Sequence, residues 1–575
     1  MPLPIIRREV SGAPLSTDLH PVIERIYRAR AVSSVDDIDT GARGLEHYQK
    51  LKGISAAASL LADAVQKQLP VTIVGDFDAD GATSTAVCML SLRQMGLSTV
   101  DYLVPNRFDF GYGLSKPIVD IAHQQGAKVI VTVDNGISCL EGVAHAKSLG
   151  MQVIVTDHHL PGNELPNADA IVNPNQPGCD FPSKSLAGVG VAFYLMLACR
   201  AELQQRDWFA SQAINLPNLA DLLDIVAVGT VADVVSLDKN NRILVHQGLQ
   251  RIRSGKCRPG IKAIIEVANR QLAYLSASDL GFVVGPRLNA AGRLDDMAMG
   301  IACLLEDDTM QARMMAAELD SLNQQRREIE TGMREEAMQV VASLTLNTDE
   351  VPPALVLYKE DFHQGVIGIV AGRIKEQVNR PVIAFAHQDD EVIKGSARSI
   401  SGIHIRDVLD EVNTRNPGLI EKFGGHAMAA GLSLPLTHLD AFTRAFTEVC
   451  EMHLANRDDT DAIWSDGELT QHELDLSFAH MLRQSGPFGQ GFEAPVFDGV
   501  FELVQQRIVG EKHLKVTFRL PQGGEIDGIA FNVDTSQWPA HDVRHVKVAY
   551  QLDVNVFRGR ESVQMLVEQI LPHEH

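Results

Sequence analysis

The 575-residue chain has little of what staples or anchors a protein. Its seven cysteines (Cys88, Cys139, Cys179, Cys199, Cys257, Cys303, Cys450) are scattered and form no CxxC pair, which argues against a disulfide framework or a zinc ribbon. No segment is continuously apolar over the ~20 residues a spanning helix needs. Met1–Ser11 carries Arg7 and Arg8 but no apolar run of signal-peptide length. A soluble, cytoplasmic protein with no membrane partner is expected. Positive charge is also scarce, with 51 Lys and Arg against 73 Asp and Glu, a net of −22. Affinity for phosphate backbones comes mainly from cations that release counterions, so this balance argues against a nucleic-acid partner unless charge is gathered locally. A carboxylate cluster holding two metals inverts the local sign of its site. The expectation is a narrow basic groove on an acidic body, open to thin strands only.

At 45% hydrophobic, the chain is too long for one core and should divide into several domains of roughly 150 residues. Residues 71 to 233 read as α/β: the apolar runs Val71–Val74, Val129–Val133, Val153–Thr156 and Ile225–Val228 are taken as strands, alternating with Ala-rich helical stretches such as Ala82–Met95. Runs apolar on both faces suit a mostly parallel sheet covered by helices. From Asp308 to Ser343 there is no proline, and Met315, Leu319, Leu322, Ile329, Met333, Ala337 and Val340 recur at helical spacing. About 35 residues would span roughly 50 Å, enough to bridge two domains. A second α/β unit follows, with strand candidates Ala354–Tyr358 and Val382–Ala386, and the last stretch alternates in the short strands of a small β-barrel, as in His513–Leu520 and Val546–Val554. The division expected is 1–50 (N-terminal segment), 51–307, 308–345 (linker helix), 346–458 and 459–575.

Acidic residues gather after the apolar runs, where open α/β sheets bind ligands. Asp76, Asp78 and Asp80 alternate within Gly75–Gly81 (GDFDADG), and three close carboxylates repel unless a cation compensates. An N-cap explains one of them. An EF-hand needs a Glu six residues past Gly81, where this chain has Val87. Asp134 follows Val129–Val133, and Asp157, His158 and His159 follow Val153–Thr156. Asp233 is read as following a fourth apolar strand. Carboxylates and imidazoles without thiolate suit Mn²⁺ or Mg²⁺, and there are enough of them to hold two such ions for phosphoryl hydrolysis.

These four elements, in this order, resemble the DHH phosphoesterases, and the GDFDADG loop is similar to the first motif of the RecJ-type exonucleases within that family. The resemblance implies an α/β fold: a DHH domain with a mostly parallel sheet, a long linker helix, a smaller α/β DHHA1 domain and a C-terminal OB-like barrel. It implies metal ligation by Asp78, Asp80, Asp134 (bridging), His158 and Asp233, with His159 holding or activating the substrate phosphate. Some branches carry a histidine four residues before the first of those aspartates. Here that residue is Val74, which leaves the part of Asp76 open.

Metal chemistry alone does not choose the phosphoester. Lys422–Gly431 (KFGGHAMAAG) resembles the DHHA1 signature, which implies substrate contact by Gly424, Gly425 and His426; paired glycines let backbone approach phosphate. VPNRFDFGYG from Val104, GPRLNAAGR from Gly285 and GSARS from Gly395 look like RecJ-type segments. They imply that Arg107, Ser396 and Arg398 hold a 5′-terminal phosphate, and that Arg287 lies near the scissile group; arginine's planar fork suits such contacts. Pro487–Pro495 (PFGQGFEAP) is similar to the lead-in to the OB domain of these enzymes. OB barrels stack bases on aromatics beside a positive groove, and Phe518, Phe531 and Phe557 with Lys512, Lys515 and Arg519 are the candidates. The implied activity is a single-stranded-DNA-specific 5′-to-3′ exonuclease of DNA repair and recombination. It would act as a monomer with two divalent cations, Mn²⁺ or Mg²⁺, and associate with single-strand-binding protein and a helicase. Two alternatives stay open: a phosphodiesterase for short oligonucleotides or cyclic dinucleotides, and a non-catalytic DNA-binding scaffold.

Overall fold

Five runs rich in Val and Ile between residues 71 and 172 become strands: β1 (Val71–Val74), β2 (Val100–Leu103), β3 (Val129–Thr132), β4 (Gln152–Thr156) and β5 (Ala170–Val172). All pair in parallel, in the order β2-β1-β3-β4-β5. β1 and β3 are buried at every position, as expected of a sheet covered on both faces. The order reverses between β1 and β3, and at such a switch point the helices depart to opposite sides and leave a crevice at the strands' carboxyl ends. The coordinates, a computed structural model, describe residues 3–16, 18–105, 113–345, 351–425, 427–455 and 462–573.

The helices that frame the crevice are α1 (Ala79–Gln94), α2 (Gly188–Gln205), α3 (Leu223–Ala232), α4 (Lys239–Arg253) and α5 (Gly285–Leu294). The run Ile225–Val228, expected as a strand, lies inside α3, and the expectation is corrected. A short run apolar all round cannot be told from a buried helix by periodicity, and here the packing decides. Gly229 admits Thr83 of α1, and Gly248 of α4 admits the Leu223 carbonyl oxygen, so α3 sits enclosed among helices with Leu223–Thr230 buried.

The linker is one helix, α6 (Thr309–Thr345), about 55 Å long at 1.5 Å per residue. Ala312, Ala316 and Leu319 join the core of the first unit, whereas Met333, Ala337 and Val341 join that of the second. Between them lies a buried polar stretch in which Arg326 bonds Glu330 (2.5 Å) and Asn323 (2.9 Å). The second unit holds β6 (Leu355–Tyr358), α7 (Ile367–Val378), β7 (Val382–His387), β8 (Val392–Arg398), β9 (Lys422–Gly425) and β10 (Ala429–Pro435), in the sheet order β9-β10-β8-β7-β6. Only β6 and β7 are parallel.

The C-terminal strands β11 (Phe497–Val509), β12 (His513–Arg519), β13 (Glu525–Ala530), β14 (His545–Phe557) and β15 (Arg560–Pro572) close a barrel in the order β11-β12-β13-β15-β14. The N-terminal segment ties this barrel to the first unit. Ile5–Arg7 pairs in parallel with Ile463–Ser465, and Arg30 and Asp466 form a buried ion pair at 2.7 Å. Among the described residues all seven cysteines are free and no helix is long and apolar enough to cross a membrane.

Candidate metal centre

Asp76 and Asp78 follow β1, with Asp78 capping α1 by accepting from the Gly81 amide at 2.9 Å. Asp80 lies in the first turn of α1 and is fully buried. Its two oxygens accept from the Gly188 and Val189 amides, each at 2.7 Å. Those amides open α2, whose own N-cap is Ala187 and offers no side-chain oxygen. A carboxylate distant in sequence therefore satisfies the orphan donors and the positive end of that helix. Asp134, just past β3, adopts a left-handed backbone (φ +60), a conformation short polar residues tolerate and one that clusters at functional sites.

His158 gathers these groups. Its Nε2 is 3.1 Å from Asp134 Oδ1, 3.5 Å from Asp233 Oδ2 and 3.8 Å from Asp80 Oδ2. Two sets with no shared member have potential ligand atoms within 4.8 Å of one another, Asp80/His158/Asp233 and Asp76/Asp78/Asp134. They adjoin through the Asp134–His158 contact, and Asp134, His158 and His159 form a third such set. Asp233 reaches the cluster as the residue that ends α3, not from a strand tip.

Electrostatics describe a site short of positive charge. Burial, then the Asp78 charge, pushes Asp80 up to about 7. Burial and the neighbouring Asp80 and Asp78 charges drive Asp134 and Asp233 well above the ordinary carboxylate range. Asp157 behaves oppositely. Burial alone would raise it, but the His159 ring (2.7 Å), the charges of His159 and His158 and the Ile137 amide hold it below its usual range. Burial would lower His159, yet its bond to Asp157 and the charges of Asp157, Asp76 and Asp78 lift it to about 9. Oxygen and imidazole donors without thiolate, in two adjoining sets, fit a pair of hard divalent cations such as Mn²⁺ or Mg²⁺.

Three supporting residues were given no role in the sequence. Asn289 of α5 accepts from the Ala79 amide at 2.8 Å, and Gly292 lets α5 press on the loop, since a Cβ there would lie 1.9 Å from the Phe77 carbonyl oxygen. Gly188 abuts Asp134 in the same way, at 2.7 Å. Asn289 and Gly292 lie in the GPRLNAAGR segment, where Arg287 alone was given a role, and a helix start without a capping residue was the signal at Gly188.

The remaining sequence candidates fall in several places. Arg287 of α5 is 8% exposed and donates through Nε and Nη2 to Asp320 of α6 (2.9 and 2.8 Å) and through Nη1 to the Val283 carbonyl (2.8 Å). Ser396 and Arg398 share one face of β8 and bond each other at 2.9 Å. Both lie beside the start of α7, where a Cβ on Gly368 would sit within 2.8 Å of each. Burial holds the Arg398 guanidinium below its ordinary range, and no carboxylate among the described residues offsets this. Gly424 and Gly425 are on β9, at the sheet edge. Arg107 and His426 lie outside the described residues.

In the barrel, Phe518 is fully buried with Leu514 and Val516, so its ring faces the core and the expectation that it stacks a base is corrected. Lys515 and Arg519 point to the other face, where they meet Asp527 (3.3 Å) and Glu502 (3.1 Å). Phe531 and Phe557 are exposed. Lys512 borders a cleft of about 910 Å³ facing Glu330 and Arg334 of α6.

Comparison with known proteins agrees with this geometry. Residues 70–230 match the DHH family N-terminal domain, 351–452 the DHHA1 domain and 465–569 the RecJ OB domain. The chain is 55% identical, over 98% of both lengths, to the single-stranded-DNA-specific exonuclease RecJ of Escherichia coli (strain K12). It superposes on the crystal structure of RecJ in complex with Mn²⁺ from Thermus thermophilus with a TM-score of 0.77 at 28% identity, covering 97% of this chain and 77% of that one. The Mg²⁺ complex of the same protein gives 0.72 at 26%, covering 97% and 76%. With ligand sets that adjoin at a switch point and this likeness along nearly its whole length, the chain belongs to the RecJ branch of the DHH phosphoesterase family.

Proposed function

We propose that the chain hydrolyses single-stranded DNA from its 5′ end, one nucleotide at a time, releasing nucleoside 5′-monophosphates. The observation that carries this reading is the convergence of Asp76, Asp78, Asp80, Asp134, His158 and Asp233 on one crevice in two adjoining ligand sets. Two divalent cations held there would supply an activated water and neutralise charge on the phosphate in transition. Asp134, within reach of both sets, is the residue to bridge them. His159, held as a proton donor by Asp157, is oriented to bond a phosphate oxygen. Polarity is assigned to the second unit: Ser396 and the half-buried Arg398, with no carboxylate to neutralise it among the described residues, are suited to a 5′-phosphate, and Arg107, His426 and the Gly424–Gly425 edge complete the substrate contacts. Arg287 is assigned to the scissile region, held in readiness by Asp320.

The same reading divides the chain at 51–307, 308–345, 346–458 and 459–575, behind the N-terminal segment 1–50. It sets the protein in the cytoplasm, as a monomer in DNA repair and recombination with single-strand-binding protein and a helicase as functional associates. The test is a 5′-phosphorylated single strand, labelled at either end, incubated with Mn²⁺. Mononucleotides should leave from the 5′ end, and Arg398→Ala should abolish the preference for 5′-phosphate over 5′-hydroxyl. Cleavage confined to dinucleotides, or release from the 3′ end, would refute the proposal.

A further inference from the structure

Asp233 is followed by Val234, which is 65% exposed and carries a left-handed backbone (φ +58). For a β-branched residue that is a true outlier, and such strain persists only where the surroundings over-determine it. The next three residues show how. Asn241 of α4 donates to the Ser236 carbonyl at 2.9 Å and Arg242 to the Leu237 carbonyl at 3.0 Å. From the other side the Leu237 amide donates to the Gln490 carbonyl oxygen at 2.7 Å, and the Leu237 side chain is 3% exposed.

Gln490 belongs to the turn that leads into the barrel. The turn is closed by reciprocal bonds between Gly489 and Phe492 (3.0 and 3.1 Å), and Phe488 stacks on Phe492 at 5.6 Å. The Arg242 guanidinium lies over the Phe492 ring at 4.3 Å, so one side chain grips both the turn and the Leu237 carbonyl. Gly491 is left-handed (φ +70), and a Cβ there would fall 2.2 Å from Ser236 Oγ. The turn thus lies against the chain three residues beyond the Asp233 carboxylate.

We propose that the turn Phe488–Phe492 is a positioning element for Asp233, coupling the barrel to the metal centre. This rests on the metal-dependent reading above and extends it: a motif that resembles a mere lead-in to a DNA-binding domain fixes a metal carboxylate. With the turn displaced, Ser236 and Leu237 lose their outer wall, Val234 relaxes from its strained backbone and Asp233 swings from His158. Asp80, Asp134 and the loop at Asp76–Asp78 are held by α2 and α5 and stay in place.

The experiment is Mn²⁺ titration calorimetry on the full-length, metal-stripped protein, with Asp233→Asn and Asp78→Asn used to assign each binding step to its ligand set. Gly491→Ala should weaken the step assigned through Asp233 by about tenfold, the scale of lost support behind a ligand, and leave the Asp78 step unchanged. Adding Ser236→Ala removes the 2.2 Å clash and should recover part of the affinity, the left-handed backbone at 491 keeping the rest. If Gly491→Ala does not fold, Leu237→Ala, which leaves the barrel sequence intact, carries the same expectation. Unchanged binding at both steps, or equal weakening of both, would overturn the inference while wild-type binding upholds the metal reading. A wild-type protein that binds no Mn²⁺ would sink both together.

Discussion

Gly188→Ala tests whether the carboxylates are held tightly enough for their geometry to matter. The substitution removes no ligand and no hydrogen bond. Gly188 opens α2, where alanine is the better helix former, so backbone strain is not introduced. The added methyl would lie 2.7 Å from Asp134 Cβ and Oδ1. To regain ordinary contact at 3.4 Å, the methyl and the carboxylate must part by about 0.7 Å. Metal–ligand distances tolerate roughly 0.2 Å. Neither partner yields easily: Asp134 is buried on a left-handed backbone, and the Gly188 and Val189 amides are fixed to Asp80. A retreat by α2 would drag Asp80 with it. The expected loss in Mn²⁺ affinity is about 10- to 100-fold, the range for disturbed support of a ligand, or ~1.4–2.7 kcal/mol. Overpacking adds about 1–3 kcal/mol of global destabilisation. Calorimetry with Mn²⁺ and cleavage of a 5′-labelled strand read the effect. A folded Gly188→Ala protein with wild-type affinity and rate would refute the picture of a rigid cage.

Asp134→Asn should raise the thermal midpoint in EDTA at pH 8, because burial and the Asp80 and Asp78 charges oppose the ionised carboxylate. It should also lose the Mn²⁺-induced rise, worth ~2.7 kcal/mol at a hundred times Kd; a lower midpoint in EDTA would contradict this. Cation binding should release protons, since without a cation Asp80 stands near 7 and burial with the neighbouring carboxylate charges holds Asp134 and Asp233 well above the ordinary carboxylate range, so Mn²⁺ affinity should fall as pH drops from 8 to 6. A flat Kd across that range in calorimetry would refute it. Away from the site, burial raises Asp224 to about 6. Its folded value exceeds the unfolded one, so its favourable contribution is complete below pH ~4 and lost as pH rises through 6, by up to about 3 kcal/mol. Urea titrations of Asp224→Asn should therefore show less loss between pH 4.5 and 7 than wild type, and parallel curves would count against the assignment.

The parallel sheet was legible because Val71–Val74 and Val129–Thr132 are apolar on both faces and each is followed by acids. The same reasoning mistook α3 for a strand, because a wholly enclosed helix presents no polar stripe, and the glycines that seat it act through contacts distant in sequence. Asp233 was nonetheless chosen, since a family motif specifies residue and order without specifying the element. Phe518 shows a misuse of periodicity: it shares its parity with the buried Leu514 and Val516, whereas Lys515 and Arg519 have the other, so Phe518 could not line one groove with those two cations. Asn289, though inside the GPRLNAAGR segment, and Gly188 were given no role because theirs are contacts to residues 79 and 134, which no spacing rule reports.

An acidic chain that cuts DNA is less paradoxical once the site's charges are counted in place. Asp157 and His159 pair with one another, leaving Asp76, Asp78, Asp80, Asp134 and Asp233 to confront an incoming phosphate. Ionised together these five would carry five negative charges, which two divalent cations would cut to one, and in a buried crevice that difference acts with little screening. The repulsion that raises these carboxylates in the absence of metal is the same free energy that favours capture of cations. It is sustained because the Asp80 oxygens rest on the α2 amides and Asp134 is walled by Gly188. A phosphate entering the crevice would therefore meet carboxylates that two bound cations had largely neutralised, which is how a chain of net charge −22 can accept an anionic strand.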